Sequence, residues 1–230
     1  MSNFINVMAI VEGRTEQVFI ERVLSPYLAR KNIFIQATQI SKPGQKGGDV
    51  KFSRAEKDIG NFLKQRPDLY VTQFFDYYGL KEWPSLEFIT TEPHTEIAQI
   101  LNNAAKEHVL NHYGDYQPDK RFIPYMAMHE FETLLFSDEN ILATALGISV
   151  EKVDAILGEC GEPEKINNSR ETAPSKRLNN LKPIGKFRKT TEGIDIAEQI
   201  GIDKMRARCP LFNEWLNQLE ASCEGNKNEA

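Results

Sequence analysis

The first 130 residues contain four apolar segments of strand length, separated by three amphipathic helical patterns. The predicted strands are rich in apolar and β-branched residues: residues 4–11, 33–40, 69–75 and 121–128. Apolar residues recur at helical spacing between them: residues 15–32, 52–66 and 95–112. Strands joined by helices pair in parallel through right-handed crossovers. The sequence therefore predicts an α/β fold, with a mostly parallel four-stranded sheet and helices on both of its faces.

One proline lies inside the fourth predicted strand. Pro124 has no N–H group to give to a neighbouring strand. Prolines within strands are confined to edge strands and bulges, so we expect the fourth strand to lie at an edge of the sheet or to contain a bulge.

Three of the four predicted strands end at an acidic residue. Glu12 follows the first strand, Asp76 follows the third, and His129-Glu130-Phe131-Glu132 follows the fourth. Right-handed crossovers bring the carboxyl ends of parallel strands to one edge of the sheet, which is where open α/β sheets bind ligands. We therefore expect Glu12, Asp76 and Glu130 to meet there, although they are far apart in the chain.

Carboxylates that meet without positive neighbours repel one another, and a divalent cation removes this conflict. A small number of oxygen ligands suits Mg²⁺ or Mn²⁺, because these ions keep several water ligands and also coordinate the phosphates of a substrate. The predicted metal ligands are Glu12, Asp76, Glu130 and Glu132. Phosphoryl transfer is the reaction class that this arrangement favours.

The turn after the first strand has two interpretations. In one, Glu12 and Glu16 are solvated acids that complement the dipole of the helix that follows. In the other, the N-terminus of that helix binds an anion beside Glu12. Gly13 and Thr15 are then the candidate phosphate-binding residues.

His129 has three interpretations: a core histidine, a general acid or base, and a metal ligand. Its position directly before Glu130 favours the last two, so the candidate catalytic residues are Glu12, His129 and Glu130. A zinc protease is excluded because Thr133 occupies the place of the second histidine in a helical His-Glu-x-x-His motif. No serine or cysteine lies in a nucleophile elbow.

The segment 41–51 is rich in glycine and lysine and contains Lys42, Lys46 and Lys51. It lacks the GxxxxGK[ST] pattern of a Walker loop. A mobile surface turn is the favoured interpretation, because such segments are usually flexible connections. The alternative is a basic flap that closes over a phosphodiester backbone.

The sequence changes character after residue 138. We predict an α/β domain over residues 1–138, a helical extension packed on it over 139–221, and a flexible tail over 222–230. The short helices predicted after residue 130 are 134–146, 150–160, 175–181, 194–200, 202–208 and 211–219.

The extension contains cations that suit a phosphate. The segment Thr172-Ala173-Pro174-Ser175-Lys176-Arg177 precedes a predicted helix. In one interpretation Ser175 only begins that helix, and the two cations are solvated. In the favoured one, Ser175, Lys176, Arg177 and Lys186 bind phosphate, because a negative metal site that holds a phosphate needs cations nearby.

Composition limits the class of protein. The chain is 40% hydrophobic and 27% charged, which is typical of soluble globular proteins. No segment approaches the roughly 18 apolar residues of a membrane span, and no signal peptide is evident, so we expect a cytoplasmic protein without a membrane partner. A net charge of −5 argues against a protein that coats nucleic acid, but not against an enzyme that grips phosphates locally.

These residues resemble the TOPRIM domain shared by topoisomerases, bacterial primases and the overcoming-lysogenization-defect type nucleases. Val11-Glu12-Gly13 with Thr15-Glu16, and Asp76, carry that resemblance. The chain more closely resembles a bacterial family of TOPRIM-like proteins, the domain of unknown function DUF4276. The segments that carry this second resemblance are Asp76-Tyr77-Tyr78-Gly79, His129 to Glu132 with Leu135-Phe136-Ser137-Asp138, and Thr172 to Arg177.

The TOPRIM resemblance implies a Rossmann-like sheet, a Glu12 that acts in acid/base catalysis or metal binding, and a metal-holding Asp-x-Asp motif. This chain keeps Asp76 but has Tyr78 in place of the second aspartate. Either Glu130 or Glu132 supplies the missing carboxylate, or the domain binds without cutting. The expected function is a Mg²⁺-dependent nuclease or related phosphoryl-transfer enzyme acting on nucleic acid. The alternative is a non-catalytic partner module of an ATPase, and the resemblance associates both with bacterial defence against phage.

Overall fold

The computed structural model describes residues 4–42, 45–46, 48–90, 93–166, 169 and 171–228. The strands in this part of the chain are β1 (Ile5–Val11), β2 (Ile33–Gln39), β3 (Ser41–Lys42), β4 (Gln45–Lys46), β5 (Leu69–Asp76) and β6 (Phe122–Ala127). The α-helices are α1 (Arg14–Phe19), α2 (Ser25–Ala29), α3 (Phe52–Gln65), α4 (His94–Tyr113), α5 (Pro118–Arg121), α6 (Glu139–Leu146), α7 (Glu151–Cys160), α8 (Pro174–Leu181), α9 (Ile194–Ile200), α10 (Ile202–Arg208) and α11 (Pro210–Asn228).

The main sheet has the strand order β2-β1-β5-β6, and all three of its pairings are parallel. The α/β prediction is confirmed. Val11 pairs with Phe74, and Asp76 pairs with Ala127. Glu12 follows Val11 directly, so the ends of β1, β5 and β6 lie at one rim, which we call the carboxyl edge.

The strand that contains Pro124 is an edge strand, because β6 pairs only with β5 in the described sheet. The edge position predicted from this proline is confirmed. On its outer side β6 has no further strand in the described sheet, so no neighbouring strand needs the N–H group that Pro124 lacks.

Helices cover both faces of the sheet, as predicted. On one face α3 and α4 pack over Ile10, Val71, Phe75 and Met126, together with Trp83. This face of the sheet is apolar because alternate residues of each strand point to it. The hydrophobic layer that results is one of two in the molecule.

The other face is covered by α1, α2 and the C-terminal helices, which share one hydrophobic core with the sheet. Trp215 of α11 stacks on Tyr125 of β6, with ring centroids 4.6 Å apart and planes 7° from parallel. Its indole N–H donates to the Thr72 hydroxyl at 2.9 Å. The C-terminal helices therefore form the second layer over the sheet.

The final helix continues beyond the predicted boundary at residue 221. It extends to Asn228, and Cys223 is buried. The division of the chain at residue 138 stays a prediction.

The predicted helix 134–146 forms two pieces. A 3₁₀ helix, Phe131–Ser137, precedes α6. The Asp138 carboxylate caps α6 by accepting the backbone N–H groups of Asn140 and Ile141. A side chain that satisfies these groups starts a new helix rather than continuing the old one.

The segment 41–51 lies beside the carboxyl edge. Gly48 donates its N–H to the Glu12 carbonyl oxygen at 2.8 Å, and Lys51 pairs with Glu82 at 2.9 Å. The rest of the predicted flap, residues 43, 44 and 47 with the Lys46 side chain, lies outside the described residues. No helix in the described part of the chain is both long and apolar enough to cross a membrane.

Candidate active site

Five acidic side chains lie at the carboxyl edge: Glu12, Glu16, Asp76, Glu130 and Glu132. We call them the strand-end acids. Glu12 directly follows β1, Asp76 ends β5, and Glu130 precedes the 3₁₀ helix that contains Glu132. The sheet topology thus brings together residues that the chain keeps far apart.

The pKa of Glu12 shows that the negative charges of the strand-end acids act on one another. Burial and the negative charge of Glu16 raise its pKa to about 7, and Glu130 adds to the shift. Lys189 and a hydrogen bond from the Asp76 backbone partly oppose it. A carboxyl group with this pKa exchanges a proton near neutral pH.

Asp76 and Glu132 are both buried. Burial raises the pKa of Asp76 well above its ordinary value, and the charges of Glu16, Glu132 and Glu12 raise it further. One oxygen, Oδ1, accepts the backbone N–H of Phe131 at 3.0 Å. Glu132 is fully buried, and its pKa is raised first by burial.

Lys189 is the cation that faces the strand-end acids. Its Nζ lies 3.3 Å from Glu132 Oε1. Burial lowers the pKa of Lys189, but the charges of Glu132, Asp76 and Glu16 raise it more, so the net shift is upward. The side chain is half exposed, so its charged end is within reach of a ligand. Within the described part of the chain, neither oxygen of Glu132 has a hydrogen bond of normal geometry.

Glu16 is anchored within its own turn. Its Oε2 accepts the N–H of Gly13 at 2.9 Å, so the glutamate side chain reaches back to the backbone at the start of α1. Thr15 is buried, and its hydroxyl contacts that of Thr190 at 2.8 Å. Gly13 and Thr15, predicted to bind phosphate, are therefore engaged with neighbouring groups of the protein, and their phosphate contacts stay a prediction.

Ser175 contacts an acid of the site. Its backbone N–H donates to Glu130 Oε2 at 2.8 Å, and its hydroxyl donates to Oε1 at 3.0 Å. Ser175 lies in the first turn of α8. The structure therefore places the predicted segment 172–177 at the site through Ser175, whose two donors hold the Glu130 carboxylate.

The three predicted phosphate-binding cations differ in their surroundings. Arg177 pairs with Glu159 at 3.1 Å and donates from Nε to the Thr172 carbonyl at 3.0 Å, so its guanidinium group joins α8 to α7. Lys176 and Lys186 are exposed. The contact of these three residues with phosphate stays a prediction.

His129 lies beside Tyr77 and His94. Its ring lies 5.9 Å from that of Tyr77, and burial together with the nearby His94 lowers its pKa to about 4. At neutral pH it is therefore uncharged. Among the described residues, its buried Nδ1 has no hydrogen-bond partner.

A cavity of about 230 Å³ opens on this edge, lined by Glu12, Asp76, Tyr78 and Asp49 among others. Tyr78 stands where the TOPRIM pattern has a second aspartate, and its backbone N–H donates to the His129 carbonyl at 2.8 Å. Asp49, from the segment 41–51, also lines this cavity. The cavity thus gives a ligand access to Glu12 and Asp76.

A family model described as "Domain of unknown function (DUF4276)" matches residues 11–220. The chain belongs to the DUF4276 family. The DUF4276 match includes the five strand-end acids and Lys189. No curated protein sequence matches the chain.

Two solved structures are similar to this DUF4276 protein. One is the C-terminal region of the Burkholderia pseudomallei OLD protein, with 14% identity and a TM-score of 0.45 over 96% of this chain and 99% of that one. The other is the C-terminal region of the Xanthomonas campestris pv. campestris OLD protein, with 12% identity and a TM-score of 0.39 over 96% and 97% of the two chains.

Sequence reasoning missed two members of this DUF4276 site. Glu16 was assigned only a helix-dipole role, and Lys189 was not singled out. Glu16 carried a usable signal, because it lies one helical turn after Glu12. Lys189 carried none, since it comes from a segment that only the tertiary fold brings to the carboxyl edge.

Proposed function

We propose that this chain is a Mg²⁺- or Mn²⁺-dependent enzyme that hydrolyses phosphodiester bonds in nucleic acid. The observation that supports this most is the burial of Asp76 and Glu132 among further acids at the carboxyl edge. Burying like charges together costs stability, and such clusters are concentrated at functional sites. Lys189 offsets only part of the negative charge.

The donors of this site fit a hard divalent ion. All of them are carboxylate oxygens. Within the described residues, the Glu132 carboxylate has the ion pair with Lys189 but no hydrogen bond of normal geometry. Among the described residues, no three strand-end acids have oxygens within 4.8 Å of one another. Mg²⁺ suits such spacing because it usually keeps several water ligands and is coordinated directly by only one or two carboxylates. When bound, such an ion orients a water and offsets charge on the leaving oxygen of a phosphodiester.

The residues of the chain then take separate roles. Asp76 and Glu132 hold the ion, with Glu130 kept in place by Ser175. Glu12, with a pKa of about 7, accepts a proton from the attacking water at neutral pH. Lys189 binds a phosphate oxygen of the substrate. We assign no role to His129, whose ring lies beside Tyr77 and whose pKa is lowered by burial and by His94.

Cleavage assays on DNA and RNA test this proposal. We expect cutting with Mg²⁺ or Mn²⁺ and none with a chelator. Glu12→Gln and Asp76→Asn should each lower the rate about 100-fold or more, because the first removes the proposed general base and the second a proposed metal ligand.

Asp68→Asn is the matched control, because Asp68 is an exposed carboxylate paired with Arg66 outside the site. It should cut at the normal rate. Unchanged cutting by both Glu12→Gln and Asp76→Asn, with the fold intact by circular dichroism, would overturn the proposal.

A non-catalytic module that docks on an ATPase or on nucleic acid is the second candidate. Two observations favour it: Tyr78 occupies the place of a metal-holding aspartate, and Lys189 already pairs with Glu132. Calorimetry separates the two candidates. Heat of Mg²⁺ binding that disappears in Asp76→Asn supports the enzyme, whereas no binding to a correctly folded sample supports the module.

A further inference from the structure

A second group of metal-ligand side chains lies on the surface of α3 and α4. His108 and His112 are four residues apart on α4, so their rings point to the same side of that helix. Glu56 of α3 faces them. The ligand atoms of these three residues all lie within 4.8 Å of one another.

The packing of the two helices fixes this arrangement from both sides. One helical turn before Glu56, the Phe52 ring packs edge-to-face on His108, with centroids 5.3 Å apart. One turn after it, Gly60 lies so close to Tyr113 that a β-carbon at position 60 would be 2.2 Å from the ring. Between these contacts, Glu56 Oε1 lies 2.6 Å from His112 Nδ1.

The helices are thus held at a fixed separation where the three ligands meet, and a site with such support loses little entropy when it binds. The site is open to solvent: the His112 side chain is 61% exposed and that of Glu56 is 19% exposed. An ion can therefore enter without any rearrangement of the two helices.

We propose that Glu56, His108 and His112 form a second metal site, which takes a borderline-soft divalent ion such as Zn²⁺ and joins α3 to α4. Two imidazoles and a carboxylate are a ligand set found at zinc sites with an open fourth position. Imidazole suits Zn²⁺, Cu²⁺ and Ni²⁺, whereas Mg²⁺ prefers oxygen alone. This site shares no residue with the strand-end acids, so the two differ in the ions that they select.

The test uses the full chain and Zn²⁺ alone, by calorimetry and by thermal unfolding. We expect one Zn²⁺ per chain and a higher unfolding temperature when Zn²⁺ is added, with both effects reversed by a chelator. NMR signals of the His108 and His112 rings should shift on addition of Zn²⁺ and not on addition of Mg²⁺.

Variants locate the ion. The double variant His108→Ala/His112→Ala should lose this Zn²⁺ binding, and Glu56→Gln should weaken it about 10- to 100-fold. Asp76→Asn is the control for binding at the carboxyl edge and should keep Zn²⁺ at the helix site. Zn²⁺ stoichiometry and affinity unchanged in the double variant, or no Zn²⁺ binding by the wild-type chain, would overturn the proposal.

Discussion

Two buried glutamates in this chain have opposite surroundings. Glu164 is almost fully buried, and its two oxygens accept the backbone N–H groups of Leu211 at 2.9 Å and Phe212 at 3.0 Å. Those groups belong to the first turn of α11, where a helix has no partners of its own for them. Glu132 is equally buried, but it lies among other acids and has Lys189 as its one ionic contact in the described structure.

The difference separates a carboxylate with a structural role from one that we propose to be functional. Burial raises the pKa of Glu164 to about 7, and the two hydrogen bonds oppose that shift. Glu164 lies in a short 3₁₀ helix, Pro163–Lys165, and its side chain joins this helix to α11. The strand-end acids raise one another's pKa, although Glu16, Asp76 and Glu130 each accept a hydrogen bond. Charges that cost stability and are still kept together are concentrated at functional sites.

The largest expected effect is on activity, and it contrasts the two glutamates directly. Glu132→Gln should lower phosphodiester cleavage about 100-fold or more, because it removes charge from the proposed metal site. Glu164→Gln makes the same chemical change at the other buried acid and should leave the rate per folded molecule unchanged. Equal losses in both variants, measured by initial rates, would remove the distinction between them.

Stability should show the reverse contrast. Glu164→Ala leaves two buried N–H groups of α11 without an acceptor, so we expect a loss of about 2–4 kcal/mol in the free energy of unfolding. Urea titration followed by circular dichroism measures this loss. Glu159→Ala, at a 68% exposed carboxylate, should cost less than about 1 kcal/mol. If Glu164→Ala lowered the free energy of unfolding by as little as Glu159→Ala, the hydrogen bonds of Glu164 would not support α11.

Lys189 tests the electrostatics of the strand-end acids. Lys189→Met removes the cation nearest to Glu132 while keeping a long side chain. We expect substrate affinity to fall about 10-fold, because a charge-assisted phosphate contact is lost. Lys186→Met, at an exposed lysine a few residues away, is the matched variant. A larger loss of substrate affinity in Lys186→Met would indicate that Lys186, as the sequence predicted, binds the phosphate instead of Lys189.

The smallest expected effect is a dependence of stability on pH. The Glu12 pKa is about 7 in the folded protein against an ordinary value of 4.5, so between these pH values the folded chain holds more protons than the unfolded one. Stability without metal should therefore fall as the pH rises from about 4.5 to about 7.

Mg²⁺ should reverse that trend, raising the unfolding temperature by roughly 2–4 °C at pH 8 and by less at pH 5. Differential scanning calorimetry at both pH values measures this. The same Mg²⁺ response in Asp76→Asn would show that the ion acts elsewhere.

The sequence was sufficient for the main sheet and its covering helices α3 and α4, because each of these elements carried a local pattern, but it did not predict β3, β4 or α5. The apolar strands and the stripe on α3 follow from periodicity, and Pro124 identified the edge strand. The positions of Glu12, Asp76 and Glu130 at strand ends followed from the crossover rule.

The contacts that the site residues make with other parts of the fold could not be predicted from local sequence patterns. The contacts of Ser175 with Glu130 and of Arg177 with Glu159 depend on how α8 packs, which no motif encodes. His129 was ranked as a candidate because of its neighbour in sequence, but in the structure its ring lies beside Tyr77, and burial and His94 lower its pKa. Lys189 lies in a basic segment with Lys182, Lys186 and Arg188, and the sequence does not show which of these cations reaches the acids.

The two tryptophans of the chain occupy different layers: Trp83 lies under α3 and α4, and Trp215 lies against the opposite face of the sheet. Each indole is therefore a built-in optical probe of one layer. Single-tryptophan versions of the chain would give two fluorescence melting curves. Coincident midpoints would mean that both layers come apart as one cooperative unit, and separate midpoints would reveal two units within the 230 residues.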